Sequence, residues 1–338
     1  MMRGVLLYWL SGEIIMEKNK LLVVYNTCGI SGRDNTAAYA NSIQKILEQK
    51  FENGKIVISS CLNSPALMQP LMKATRGKGI DYNLIKEKLP VNVTFNHSVK
   101  KCREIYGDFE GYLYIDSGCS FTKAGDLQKL YDMFKSGPYA MASTRTTTDT
   151  GIGNWFGKED EEVFQDGDLV VPVGKAINLH TQIFSHDLIE AYGHAIPDIF
   201  ASYCTESTFS FLCAAIKKNW VMSKDVIVDH LWGMDGASSG FNPNGIIAHV
   251  MDPWKHLFRS PKPMEEIIKD PVGIKAGFGY EEVCDVLMHD ESQFDSDGFC
   301  LNEDLEPFIK NNLFLKNDML DYNTIDHTYV SDNYSTAP

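Results

Sequence analysis

Two hydrophobic rhythms alternate along the first half of the chain. "KLLVVYN" (20–26) is a continuous apolar run of the kind that fills a parallel strand buried on both faces. A Gly-Ser-Asn loop follows, "NTAAYANSIQKILEQKF" (35–51) repeats apolar residues at helical spacing, and "KIVISSCLN" (55–63) reads as a second strand. Strand, helix and strand in that order predict parallel pairing through a right-handed crossover. The unit recurs with variations. "VNVTFN" (91–96) alternates like a short strand, "HSVKKCREIYG" (97–107) has helical spacing, and "GYLYID" (111–116) is again an apolar strand. "DLQKLYDMFKSG" (126–137) is a helix ending at Gly137, and "YAMAST" (139–144) a fifth strand. Five strands with helices between them imply a doubly wound α/β sheet.

Beyond this point the rhythm changes. "TRTTTDTGIGNWFGKEDEE" (144–162) has neither period and is long enough to suggest a functional loop or lid. "GDLVVPVGKAINLHTQIFS" (167–185) reads as an extended pair of strands, and "HDLIEAYG" (186–193) as a short helix stopped by Gly193. "CTESTFSFLCAAIKKNW" (204–220) is an amphipathic helix and "VMSKDVIVDHLWG" (221–233) a last strand. Helical pieces and a polar tail are expected after Pro253. The organisation predicted is an N-terminal extension (1–19), a first α/β half (20–145), a second half with the lid loop (146–252) and a helical, acidic C-terminal extension (253–338).

Charge narrows the partners. The net charge of −14 is uneven: residues 1–110 carry 15 Lys and Arg against 10 Asp and Glu, whereas residues 281–338 carry 2 against 14. Duplex nucleic acid needs a basic stripe to neutralise phosphates, so it is disfavoured as a partner, while a small anion in the N-terminal half is compatible. The eight cysteines form no CxxC pair and read as reduced, buried thiols, which argues for a cytoplasmic location and against a zinc cluster. The apolar stretch Val5–Leu10 is too short for a secretory leader, and no run reaches the ~20 apolar residues of a membrane span.

Candidate chemistry begins at "YIDSGCSF" (114–121), where an apolar strand ends on Asp116 and breaks into small residues. Asp there either caps a Ser-Gly turn or grips a ligand outside the carboxyl end of the strand, the usual ligand position in open α/β sheets. "GISGRDNT" is neither GxGxxG nor a phosphate-cradling loop with Lys-Ser/Thr, so dinucleotide and ATP folds are demoted. "QFDSDGFCLNED" (293–304) mimics a calcium loop, but Gln293 at the first ligand position and Asp304 at the last make it an acidic turn.

The order of "LLVVYNTCGISG", "YIDSGCS", "CTESTFSFL" and "VIVDHLWG" over about residues 20–233 resembles a GT-A glycosyltransferase, similar to the large inverting family 2. The resemblance implies a GT-A-like, mostly parallel central sheet flanked by helices, and transfer of a sugar from a nucleoside diphosphate sugar to a saccharide or other hydroxyl acceptor. It implies donor contacts from Asn26, Thr27, Cys28, Arg33, Ser60, Asn63, Asp116 and Ser117. Asp116 stands at the first acid of the family's Asp-x-Asp motif and Gly118 at the second. A Mn2+ or Mg2+ ion would then be held by Asp116 and His230, with Asp229 an alternative, or leaving-group charge would fall to Arg33, Lys78 or Lys175. Glu206 corresponds to the general base at the acceptor helix, where the plain reading is a capping acid. Trp155, Asp198 and Trp232 correspond to acceptor and lid positions; each Trp is otherwise a packing residue. The rival readings are a nucleotidyltransferase, which normally has a Lys-bearing Gly-rich loop after the first strand, and a non-catalytic nucleotide-sugar or glycan binder. A modified DNA base is a minority acceptor.

Overall fold

The structure is a computed structural model. It describes residues 9–10, 13–14, 19–28, 36–52, 54–61, 65–86, 89, 91–116, 118–147, 160–164, 166–172, 177, 180–196, 206–230 and 321–332; the side chains of Cys28 and Glu206 are not among the described groups. Arg33, Asn63, Ser117, Trp155, Lys175, Asp198, Trp232 and the 293–304 turn lie outside the described residues.

A short ribbon, β1 (Trp9–Leu10) with β2 (Glu13–Ile14), precedes the main sheet. β3 (Asn19–Cys28) is buried on both faces, as its unbroken apolar run predicts. Leu22 and Val24 enter the core on one side, Leu21, Val23 and Tyr25 the core on the other. That split follows from the two-residue side-chain period of a strand. Truncating one such residue, Leu22→Ala for example, would cost about 2–5 kcal/mol of stability.

α1 (Thr36–Glu48) leads to β4 (Gly54–Cys61), and α2 (Pro65–Thr75) to β5 (Ile80–Ile85). α3 (Val91–Tyr106) then crosses to β6 (Phe109–Ile115), followed by β7 (Cys119–Phe121), α4 (Asp126–Lys135) and β8 (Tyr139–Thr146). After α5 (Asp160–Val163) come β9 (Leu169–Val170), β10 (Thr181–Ser185), α6 (His186–Tyr192), α7 (Glu206–Ala215), β11 (Asn219–His230) and β12 (His327–Val330). The sheet order is β12-β5-β4-β3-β6-β10-β8-β11-β7, with β9 beside β11. β5, β4, β3 and β6 pair in parallel and β8 with β11 likewise, whereas β10, β7, β9 and β12 run antiparallel to their neighbours. Helices α1, α2 and α4 pack on one face, and α3, α6 and α7 on the other. The predicted doubly wound architecture is present.

One local expectation differs from what is observed. "VNVTFN" is the first turn and a half of α3, not a strand. Its alternation is deceptive because the helix start is wedged into the protein, so Asn92, Thr94 and Asn96 are as buried as Val93 and Phe95. The third strand is instead "IDYNLI", introduced by Gly77 and Gly79 at φ 76°. At residues 321–332, the described part of the C-terminal extension, a 3-10 turn (Tyr322–Thr324) precedes β12, which covers the edge of β5. Asp81 in β5 is fully buried and accepts from Lys55 Nζ (2.7 Å), the Tyr329 hydroxyl (2.8 Å), the Tyr106 hydroxyl and the Asp332 backbone N–H (3.0 Å), so one carboxylate ties β12 to the sheet. Among the described residues no helix is long and apolar enough to cross a membrane.

Candidate functional site

The chain leaves β3 through α1 toward β4 on one side, and leaves β5 through α3 toward β6 on the other. The carboxyl ends of β3 and β6 therefore flank the point where the winding reverses, the position at which open α/β sheets bind ligands. Asp116 stands there, half-buried, directly after β6. Its backbone N–H donates to the carbonyl of His180 (2.8 Å), and its carboxylate accepts from the Tyr114 hydroxyl (3.2 Å).

A tight turn follows, closed by a bond from Cys119 N–H to the Asp116 carbonyl (3.1 Å), with Gly118 at φ 84°. An L-residue at that dihedral is strained, so the turn itself explains why Gly stands where the resemblance would have a second acid. The residue delivered to the sheet is Cys119. It lies directly opposite His230 in the antiparallel pairing of β7 with β11, which puts both side chains on one face. β11 reaches this place through a register break between Met222 and Ile227. The pairing of Thr181 with Ile115 brings His180 beside Asp116. As a result Cys119, His180 and His230 present Sγ and ring-nitrogen atoms that all lie within 4.8 Å of one another. The two imidazole rings are 4.3 Å apart at their centroids.

Cys119 and His230 are buried and His180 is partly exposed. Burial, and then the neighbouring His180, hold the His230 imidazole down at about 3, so it is neutral at physiological pH. Sequence reasoning reached His230 but not its partners. Cys119 is three residues from Asp116, while His180 joins only through strand pairing across 61 positions, and the absence of a CxxC spacing drew attention away from the thiol. Asp229 alternates with His230 along β11 and so faces the other side.

The donor-side candidates of β3 and β4 are brought together but packed into the protein. Asn26, Thr27 and Ser60 are buried. Thr27 Oγ1 donates to the Ser59 carbonyl (3.2 Å), Asn26 Nδ2 to the Ile115 carbonyl (3.5 Å), and Ser60 Oγ contacts Met68 Sδ at 3.3 Å. Behind them runs a relay: Asn83 Nδ2 to Ser98 Oγ (2.7 Å), Ser98 Oγ to Ser59 Oγ (2.9 Å), and Ser59 Oγ to the Thr94 carbonyl (3.3 Å). Lys78, offered as a leaving-group cation, is exposed in the turn before β5, at the opposite edge of the sheet from Asp116. It is removed from the site by that placement.

Comparison with known proteins gives the fold. No protein-family model matches the chain, and no curated protein matches it by sequence. Among solved structures, it is similar to the mannosyltransferase PcManGT from Pyrobaculum calidifontis in complex with GDP-Man and Mn2+, at 12% identity and a TM-score of 0.52 over 76% of this chain and 70% of that one. A TarS 1–349 structure from S. aureus aligns at 12% identity and a TM-score of 0.48, over 69% of this chain and 65% of that one. The likeness to PcManGT is one of fold: the mixed α/β, mostly parallel sheet of GT-A-type glycosyltransferases.

The Mn2+ or Mg2+ ion expected from the sequence meets an unusual donor set. Mg2+ asks for near-octahedral oxygen coordination, and the described ligand group offers one thiol and two imidazoles. The Asp116 carboxylate is not a member of that group. Mg2+ does not fit this cluster. A transition metal with affinity for nitrogen and sulfur does.

Proposed function

We propose that the chain is a glycosyltransferase that moves a sugar from a nucleoside diphosphate sugar to an acceptor hydroxyl with inversion. One observation carries the reading: Asp116 stands at the reversal point between β3 and β6, in a sheet whose arrangement is that of GT-A-type enzymes. The donor nucleotide lies across the tips of β3 and β4, met mainly by backbone groups, since the side chains of Asn26, Thr27 and Ser60 are occupied within the protein. Asp116 orients the donor through its ribose or diphosphate. Arg33, Asn63 and Ser117 remain donor contacts in this proposal, and Trp155, Asp198 and Trp232 acceptor and lid contacts.

Glu206, the first residue of α7, takes the proton from the acceptor hydroxyl; the helix N-terminus favours its ionised form. The acceptor oxygen forms a bond to the anomeric carbon from the face opposite the diphosphate, whose bond to that carbon breaks, and the nucleoside diphosphate departs. A metal held by His230 and its neighbours beside Asp116 would supply Lewis-acid stabilisation of the departing charge. The test is release of free nucleoside diphosphate across a panel of donors and acceptors. Glu206→Gln is expected to abolish release while donor binding, measured by calorimetry, is retained. Donor binding with no release from the parent protein under any acceptor would leave a binder in place of an enzyme.

A further inference from the structure

We propose that Cys119, His180 and His230 form a zinc-class transition-metal site, a thiolate and two imidazoles with the fourth position open to an oxygen ligand. This goes beyond the proposed transfer reaction and stands without it, because it rests on the cluster alone.

Three observations support it. The ligand atoms already converge, all within 4.8 Å of one another. Tetrahedral zinc, with bonds of about 2.3 Å to sulfur and 2.0–2.1 Å to nitrogen, would set them about 3.3–3.6 Å apart, a contraction of about 1 Å that small side-chain rotations supply. The scaffold is also rigid. Cys119 and His230 are fixed opposite each other by the β7–β11 register, and His180 is held at the start of β10 by the bond from Asp116 N–H to its carbonyl. Ligands placed by strand pairing keep their geometry better than ligands on loops.

The donor chemistry then selects the metal. Thiolate and imidazole favour zinc over magnesium, and manganese stands lowest among the divalent transition metals in affinity for such a set. Three protein ligands with an open fourth position is the pattern of a zinc that meets an exchangeable ligand. The partly exposed member, His180, marks the side from which ion and fourth ligand arrive. Asp116 N–H is bonded to the His180 carbonyl, so this side of the cluster adjoins the strand tips, where an oxygen ligand would complete the shell.

The experiment uses the full chain, stripped with a chelator and reloaded with Zn2+, Co2+, Mn2+ or Mg2+ separately, with bound metal counted by elemental analysis after gel filtration. Retention of one Zn2+ per chain is expected, with no retained Mg2+. Loading with Co2+ is expected to give a thiolate-to-cobalt charge-transfer band and intense visible bands of a tetrahedral ion. Cys119→Ser is expected to lose the charge-transfer band and weaken Co2+ binding by more than the ~10–100-fold typical of losing an outer partner alone. Cys213→Ser, buried in the core on the other face of the sheet from Cys119, is expected to keep both.

His180→Gln, at the partly exposed position, gives a second variant whose folding is checked by circular dichroism; it is expected to weaken Co2+ binding while retaining the thiolate band. Unchanged Co2+ affinity and spectrum in Cys119→Ser, absence of the thiolate band in the parent protein, or tighter retention of Mn2+ or Mg2+ than of Zn2+ would each overturn the proposal. None of these readouts requires a sugar donor, so failure of transfer and failure of metal binding are separately visible.

Discussion

The carboxyl ends of β3 and β4 and those of β6 and β11 lie along one edge of one sheet, yet their polar side chains are used differently. At the first pair, Asn26, Thr27, Ser59 and Ser60 are consumed by bonds to the protein itself, continued inward by Asn83 and Ser98. Such a network fixes where backbone groups point and leaves little side-chain chemistry for a ligand. At the second pair, Asp116 stands half-exposed and a thiol and two imidazoles converge beside it. Residue identity therefore carries architecture on one side of the reversal point and, in the proposed function, reactivity on the other.

That division can be broken by mutation, beginning with the largest effect. Asp116→Asn keeps the shape and an acceptor for the Tyr114 hydroxyl, so stability is expected to move by less than ~0.5 kcal/mol. Transfer, read as nucleoside diphosphate release, is expected to fall by ~100-fold or more. Asn83→Ala is the converse: it removes the donor to Ser98 and the 2.9 Å contact with His97 Nδ1 from a fully buried position, with an expected loss of about 2–3 kcal/mol in urea unfolding. The turnover of the molecules that remain folded should be unchanged. A large activity loss with intact stability in Asn83→Ala would erase the contrast.

The third effect is in pH. Burial, then His327, Lys101 and Lys100, hold His97 down at about 3, against a partial upward pull from Glu104. The unfolded chain takes up this proton near 6.5 and the folded protein does not, so stability is lost as pH falls from 6.5 toward 3. His194, held down at about 4 by burial, adds in the same direction. One proton contributes at most about 1.4 kcal/mol per pH unit, so His97→Gln is expected to flatten the dependence of melting temperature on pH between 4 and 6 measurably. The smallest effect belongs to Tyr329→Phe. It removes one hydroxyl that donates to Asp81 and lies 3.4 Å from Cys102 Sγ, and about 1 kcal/mol should be lost with transfer unaffected.

Legibility in the sequence followed the same line. Strands such as Leu21–Tyr25 were readable because an unbroken apolar run has few other uses, and the helix starting at Asp126 because its apolar residues keep helical spacing. β5 was passed over because Asp81 and Asn83 interrupt it, and those polar residues are tolerable only through partners far away in the chain, Tyr329 among them. The start of α3 was misread because burial on every side erases the amphipathic pattern that identifies a helix. At the site, Asp116 and His230 were visible as polar ends of apolar runs. The Cys119 and His180 partnership was not, since it exists only once β7 lies opposite β11 and β10 opposite β6. A turn that requires Gly118 was legible as a missing acid before it was legible as geometry.

The covering of β5 by β12 has a consequence for how the chain is made. Tyr329 reaches Asp81 across 248 positions, and at ~5–20 residues per second translation needs roughly 12–50 s to supply it. Throughout that interval β12 is not yet present to pair with β5, and an uncovered margin invites a stranger's backbone. Asp81 opposes this, because a foreign strand docked there would leave the acid with Lys55 and Tyr106 but without the Tyr329 hydroxyl and the Asp332 N–H that complete its set of donors. The acid that fastens the finished protein thus also guards the growing one.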